Sequence, residues 1–190
     1  MTLLFWAISN AINDKKTAPR LKIITKLVRA GADPLQPRPA GGSSPAEFVL
    51  KGDSGDWIKA MLDGGLSPDA KDKTFHEPIL FETIKAKNTE TLEAMLDYGA
   101  NANITDSLGN SLMIEALDYI AYDHVLVLLD RGASPEIKGH SGWTMANQLQ
   151  SSLDTAKEGS DEYKNLMTIK EKLIQRGWKW PPAPRTPPVN

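Results

Sequence analysis

Few residues in this 190-residue chain have the type and spacing that chemistry needs. The histidines are His76, His124 and His140. None lies in an HExxH pattern, and no two share one turn of helix, the spacing that lets imidazoles grip one zinc ion. There is no cysteine, which removes disulfides and thiolate metal sites and leaves the redox compartment open. The glycine-rich phosphate loops of nucleotide-binding proteins are absent. Gly139-His140-Ser141-Gly142 looks like a nucleophile elbow at first, but its spacing is wrong and no strand precedes it. Glu82 and Glu115 fall at equivalent places in neighbouring segments and could serve as an acid pair for hydrolysis. The plainer reading of both is a solvated helix face. The expectation is no cofactor, no metal and no catalysis, with a small hydrolase using Glu82 and Glu115 as the enzyme-class rival.

The elements that carry these residues repeat. Ala30-Gly31-Ala32-Asp33-Pro34, Gly64-Gly65-Leu66-Ser67-Pro68, Tyr98-Gly99-Ala100-Asn101-Ala102 and Arg131-Gly132-Ala133-Ser134-Pro135 return in steps of 34, 34 and 33 residues. A period near 33 marks a stacked helical repeat. Each phrase follows an amphipathic helix: Leu21 to Val28, Trp57 to Leu62, Leu92 to Leu96 and Val125 to Leu129. A polar turn of about ten residues comes next. A second short helix then opens each unit at Thr2, Ser44, Pro78, Ser111 or Thr144. Ser44, Ser111 and Thr144 offer capping hydroxyls, and Pro45 suits the first helical position. Ser44 to Gly65, Pro78 to Gly99 and Ser111 to Gly132 all span 21 residues. The first unit carries about eight extra residues within Asn10 to Leu21, read as a polar loop that includes Pro19. A longer last helix is expected from about Glu162 to Arg176, followed by a proline-rich tail.

The order helix, helix, Gly-Ala-Asp, long turn resembles the ankyrin repeat, and Asp106-Ser107-Leu108-Gly109-Asn110-Ser111-Leu112-Met113-Ile114-Glu115-Ala116 follows that family's turn-plus-helix phrase. Pro78 replaces the family threonine, Ile114 and Asn147 its usual histidine, and Phe75 a turn glycine. The resemblance implies an all-α ankyrin-repeat solenoid of about five helix-turn-helix units, with long turn fingers and a modified C-terminal cap. The units run about 1–33, 34–67, 68–101, 102–134 and 135–178, forming one domain, with a tail at 179–190.

In that architecture the first helices and turn tips form a concave face for a protein partner. One first-helix position per unit points there: Trp6, Phe48, Glu82, Glu115 and Gln148. Lys51, Lys85, Asp118 and Tyr119 follow one turn later. The tips add Lys71, Lys73, Phe75 and His76, then Thr105, Asp106, Leu108 and Asn110, then Lys138, His140 and Trp143. Rings carry binding energy once desolvated, and the carboxylates favour a partner bearing Lys or Arg. The competing readings pack Trp6, Phe48 and Trp143 against neighbouring turns and leave Lys71-Asp72-Lys73 solvated. Pro181-x-x-Pro184 has the spacing of a polyproline ligand, set against a disordered end or one laid across the last helix by Trp178 and Trp180.

Apolar content of 41% and a net charge of −2 describe a folded domain with no electrostatic case for nucleic acid. No apolar run reaches the ~20 residues that span a bilayer. The start lacks a basic stretch and is not a signal peptide as it stands. Thr2 already opens a helix with no cap before it, so a fragment of a longer protein is expected, with an N-terminal cap and a targeting segment upstream. Thr2 to Ile8, Pro78 to Ile84 and the closing Arg176-Gly177-Trp178 resemble a group of proteobacterial ankyrin proteins, often exported and often paired with antibacterial toxins, including lipases of type VI secretion. That likeness implies an immunity protein that is monomeric alone and neutralises a cognate toxin. Its place would be the periplasm or envelope if an export signal lies upstream, and the cytoplasm otherwise. A generic adaptor or assembly factor is the alternative.

Overall fold

The computed structural model describes residues 2–9, 17–39 and 41–185. They divide into two compact units, Met1–Asn101 and Ala102–Asn190, and the division falls at an expected repeat junction. The first unit holds α1 (Leu3–Ser9), α2 (Thr17–Arg29), α3 (Pro45–Leu50), α4 (Asp56–Asp63), a 3-10 helix (Ile79–Lys85) and α5 (Glu90–Asp97). The second holds α6 (Leu112–Asp118), α7 (Tyr122–Asp130), α8 (Met145–Thr155) and α9 (Asp161–Gln175). Among the described residues there are no strands. Isolated bridges pinch the finger bases at Arg38–Gly42, Lys71–Pro78 and Thr105–Ser111. No described helix is long and apolar enough to cross a membrane.

Caps set the helix starts. Ser44 Oγ accepts from the Glu47 N–H at 3.3 Å, and Glu47 Oε2 accepts from the Ser44 N–H at 2.7 Å. This reciprocal box satisfies two orphan donors at once. Thr144 and Asn147 build the same box on α8, and Ser111 and Ser160 cap α6 and α9. Pro78 has no capping oxygen, and its helix is wound as 3-10 rather than α. Pro19 lies in the first turn of α2, not in a loop, where a missing N–H costs nothing because that donor has no acceptor within the helix. The polar residues Asn13 to Lys16 lie outside the described ones.

The helix ends use the phrase glycines. At Gly65 (φ 112°) the chain turns left-handed, its N–H donating to Leu62 C=O at 2.9 Å while Leu66 N–H donates to Met61 C=O at 3.1 Å. Only glycine adopts this conformation without a Cβ penalty.

Adjacent layers supply the core. In the first unit Leu50, Ile58, Met61, Leu80, Leu92 and Met95 are completely buried. Hydrogen bonds cross the same seams: Thr25 Oγ1 to Ala60 C=O at 2.9 Å, and buried Thr91 Oγ1 to Leu50 C=O at 3.0 Å. In the second unit Leu112, Leu128, Met145, Leu149 and Ile169 fill the interior. Asp130 pins α9 to α7 through Lys172 at 2.6 Å and Arg176 at 2.5 Å. The Lys172 hydrogen bond holds the Asp130 carboxyl below its ordinary value despite partial burial, helped by both cations.

Leu96→Ala or Leu128→Ala should lower unfolding free energy by about 2–5 kcal/mol through the cavity each leaves. Leu128, with no exposed surface, belongs at the upper end and Leu96, 8% exposed, at the lower. Urea denaturation checks this, and losses under about 1 kcal/mol would contradict the packing described.

Candidate functional site

In the first unit the predicted residues form three groups. Trp6 is 52% exposed on α1. Phe48, on α3, is partly exposed and packs its ring against buried Phe5, centroids 5.2 Å apart. The Arg38 guanidinium lies over the Phe5 ring, 4.4 Å from its centre. Phe48 thus takes both roles the sequence offered: it is partly exposed, and its ring packs on Phe5. A depression of about 520 Å³ opens between Phe48, Val49, Gly52 and Trp57.

The second group is ionic. Glu82 Oε1 accepts from Lys85 Nζ at 2.9 Å, and Oε2 lies 2.8 Å from Lys51 Nζ. The Lys51 contact is an ion pair without hydrogen-bond geometry, since that buried oxygen has no hydrogen-bond partner. Glu82 is therefore bracketed by two lysines, and its carboxylate is taken up by ion pairs within the repeat.

The third group is the finger at 71–78. Asp72, read from sequence as solvated, is buried. Its carboxylate accepts backbone N–H groups from Thr74 at 2.7 Å, Phe75 at 2.6 Å and Glu77 at 2.8 Å. Burial pushes its pKa up, but the N–H groups of Phe75, Thr74, Glu77 and His76 together bring it below the ordinary value. The left-handed residue of this tip is His76 (φ 58°), so His76 and not Phe75 stands in the conformation a turn glycine would take. Phe75 projects outward, 77% exposed. Lys73 pairs with Asp33 across the surface, a contact worth little in water.

The second unit repeats the device. Asp106 Oδ1 accepts from the N–H groups of Leu108 at 2.9 Å and Asn110 at 2.7 Å. Asp106 and Asn110, both predicted to face a partner, are committed to bracing their own turn. Asn110 also abuts Gly139, where an added Cβ would sit 2.2 Å from its Oδ1. Leu108 is exposed at the tip, and its carbonyl receives the His140 N–H at 3.0 Å. His140 is exposed, whereas His124 is buried in α7. Asp118 accepts from the Gln148 side-chain amide. Glu115 is half-buried on α6 and Tyr119 exposed at its end. Trp143 is half-buried with the Arg185 guanidinium 5.5 Å from its centre. Among the described residues no three His, Asp or Glu side chains converge to hold a metal.

One residue escaped sequence reasoning. Ile120 follows α6 at φ 59°, with its N–H on Leu117 C=O at 3.0 Å and the Ala121 N–H on Ala116 C=O at 2.8 Å. This is the hydrogen-bond pattern that glycine makes elsewhere in the chain, built with a β-branched residue. Its side chain is 66% exposed. The only available signal was the missing glycine after Leu117-Asp118-Tyr119.

The structure is similar to the crystal structure of the ankyrin repeat domain of Bcl-3, described as a unique member of the IkappaB protein family. The TM-score is 0.64 at 22% sequence identity, covering 86% of this chain and 68% of that one. This likeness establishes the fold: an all-α ankyrin-repeat solenoid. No protein-family model matches the chain, and no curated protein matches it.

Two outcomes test the geometry. A carboxylate held below its ordinary pKa stabilises the fold above the unfolded value, about 4, and loses that contribution as pH falls through the folded pKa. The stability advantage of wild type over Asp72→Asn should therefore be full at pH 7 and shrink towards pH 3 in urea titrations; a pH-independent gap would remove the bracing role. Ile120→Gly should raise stability by about 0.5–1 kcal/mol, the left-handed strain relieved less the entropy glycine adds to the unfolded chain. Thermal unfolding reads it, and a lower midpoint would show that Ile120 is not strained.

Proposed function

We propose that this chain is a non-catalytic protein-binding scaffold. The observation that carries the reading is the set of large apolar side chains left exposed on first helices and turn tips: Trp6, Phe48 and Phe75 in one unit, Leu108, Tyr119 and Ile120 in the other. The opposite sides of these same helices are consumed by the core. In the first unit the exposed rings lie among Lys51, Glu82 and Lys85, and in the second Tyr119 adjoins Asp118; each unit thus has apolar anchors with a charged surround, the composition in which protein interfaces concentrate their energy. The bracketing of Glu82 by two lysines argues against the hydrolase.

The finer reading is an immunity role: binding a cognate secreted antibacterial toxin, such as a lipase effector, and blocking its active site or assembly. It rests on the resemblance of Thr2 to Ile8, Pro78 to Ile84 and Arg176-Gly177-Trp178 to exported proteobacterial ankyrin proteins. An ankyrin-repeat fold suits it, because neutralising a folded enzyme requires covering a wide area. The place of action follows the toxin: the periplasm or envelope where an export signal precedes this chain, otherwise the cytoplasm.

Co-purification from native cells separates the readings. Immunity requires one tight partner that is toxic when expressed alone and harmless when co-expressed with this chain; several nontoxic partners would replace it with an adaptor role. Trp6→Ala and Tyr119→Ala should each weaken the captured partner by about tenfold, or about 1.4 kcal/mol, and Tyr119→Ala should leave the thermal midpoint nearly unchanged. Phe48→Ala should weaken binding and also lower the midpoint, because its ring packs on Phe5. Unaltered affinity in all three would place the contact face elsewhere.

A further inference from the structure

A groove in the second unit is already filled. Residues 179–185 leave the end of α9 and run back over the unit. Lys170 Nζ lies 5.4 Å from the Trp180 ring centre, so the turn begins against α9. Farther along, Asn147 Nδ2 donates to the Ala183 carbonyl at 2.7 Å. Arg185 Nε donates to the Ser141 carbonyl at 2.8 Å, and its guanidinium sits against the Trp143 ring. The expectation of a tail laid across the last helix holds for Trp180, and the chain then continues onto the finger and the start of α8.

These contacts have the chemistry of proline-rich peptide recognition. Such segments have few N–H donors, so a binding site must offer donors to their carbonyls and an aromatic surface to their side chains. Asn147 is arranged for this. Its Oδ1 is held by the Thr144 N–H at 3.3 Å and hydroxyl at 2.9 Å, which leaves its Nδ2 hydrogens aimed at the chain above. The helix cap therefore fixes the orientation of the recognition donor. Trp143 supplies the ring and the Ser141 carbonyl the acceptor for a cation.

The occupant fits loosely. Lys179, Pro181, Ala183, Pro184 and Arg185 are all exposed. Cavities of about 290 Å³ and 260 Å³ open beside Pro182 and Ala183, both reaching Ala146 on α8. A segment that sealed the end of the repeat stack would bury its side chains. This one lies in a groove wider than itself.

We propose that Ser141, Trp143, Ala146 and Asn147 form a recognition site for an extended, proline-rich segment carrying an arginine, presented by a partner protein, and that residues 180–185 occupy it as a tethered stand-in. A partner must displace a competitor whose effective concentration is on the order of millimolar, so binding is held back until the tail yields. The site is separate from the exposed rings assigned above, and its test needs no toxin.

The test uses the full chain and a fluorescein-labelled peptide with the sequence of residues 180–185, read by anisotropy. Arg185→Glu removes the tail's hold on Trp143 and Ser141, and should tighten peptide binding at least about tenfold over wild type. Adding Asn147→Asp should abolish that gain, since a carboxylate keeps both Thr144 bonds but has no donor for the peptide carbonyl. Its thermal midpoint should match that of Arg185→Glu alone. Should that variant unfold, Trp143→Leu in the Arg185→Glu background asks the same question of the ring, with the same loss expected. The proposal is overturned if Arg185→Glu binds the peptide no better than wild type, or if the gain survives loss of Asn147 or Trp143.

Discussion

No helix pair in this chain can bury its own apolar side. Each repeat is about 33 residues with two short helices, far too little to enclose a core. The structure depends on neighbouring layers meeting at fixed register, and the register is enforced twice. Buried apolar side chains such as Leu50 and Leu92 fill the seam within the first unit. Hydroxyls reaching carbonyls one layer away, Thr91 to Leu50 and Thr25 to Ala60, fix it to within a hydrogen bond. Sliding one layer would strand both partners of such a bond in a dry seam, a cost of about 1–3 kcal/mol for each orphaned group. The seams consume one side of the helices, and side chains on the other side, such as Trp6 and Tyr119, stay largely exposed.

Features set by local backbone geometry were legible in the sequence. The glycine spacing located the helix ends, and the hydroxyls of Ser44, Ser111 and Thr144 located three starts. The last helix was placed within one residue at each end. Misreadings came where a residue serves a purpose that spacing does not display. Pro19 reads as a loop breaker but sits harmlessly in a first turn. Asp72 reads as solvated and Asp106 as a partner-facing tip residue, yet each gathers backbone N–H groups of its own finger. Both aspartates open their fingers, so the repeat itself contained this signal.

The candidate face was legible as a set of positions, not as a set of roles. Trp6, Phe75, Leu108 and Tyr119 are exposed where the repeat register put them. Asp106, Asn110 and Lys73 sit at equally valid positions but are spent on turns or ion pairs. Trp143 is claimed by a segment about forty residues later, a pairing that no local pattern could foretell. Long-range contacts made by an irregular tail lie outside what a 33-residue period can encode.

Among the described residues two non-glycines stand at positive φ, and they differ in what holds them there. His76 is tolerated: histidine enters the left-handed region more readily than most residues, and its finger is held by the Asp72 carboxylate. Ile120 has neither excuse. A β-branched side chain is among the worst choices for that conformation, and its exposure means no packing energy is returned within the chain. Strain of this kind persists only where the surrounding structure over-determines the conformation. The turn holds Ile120 there all the same: the Leu117 and Ala116 carbonyls fix one side of it, and α7, which begins two residues later, fixes the other, so the helix–helix junction over-determines a conformation the side chain disfavours.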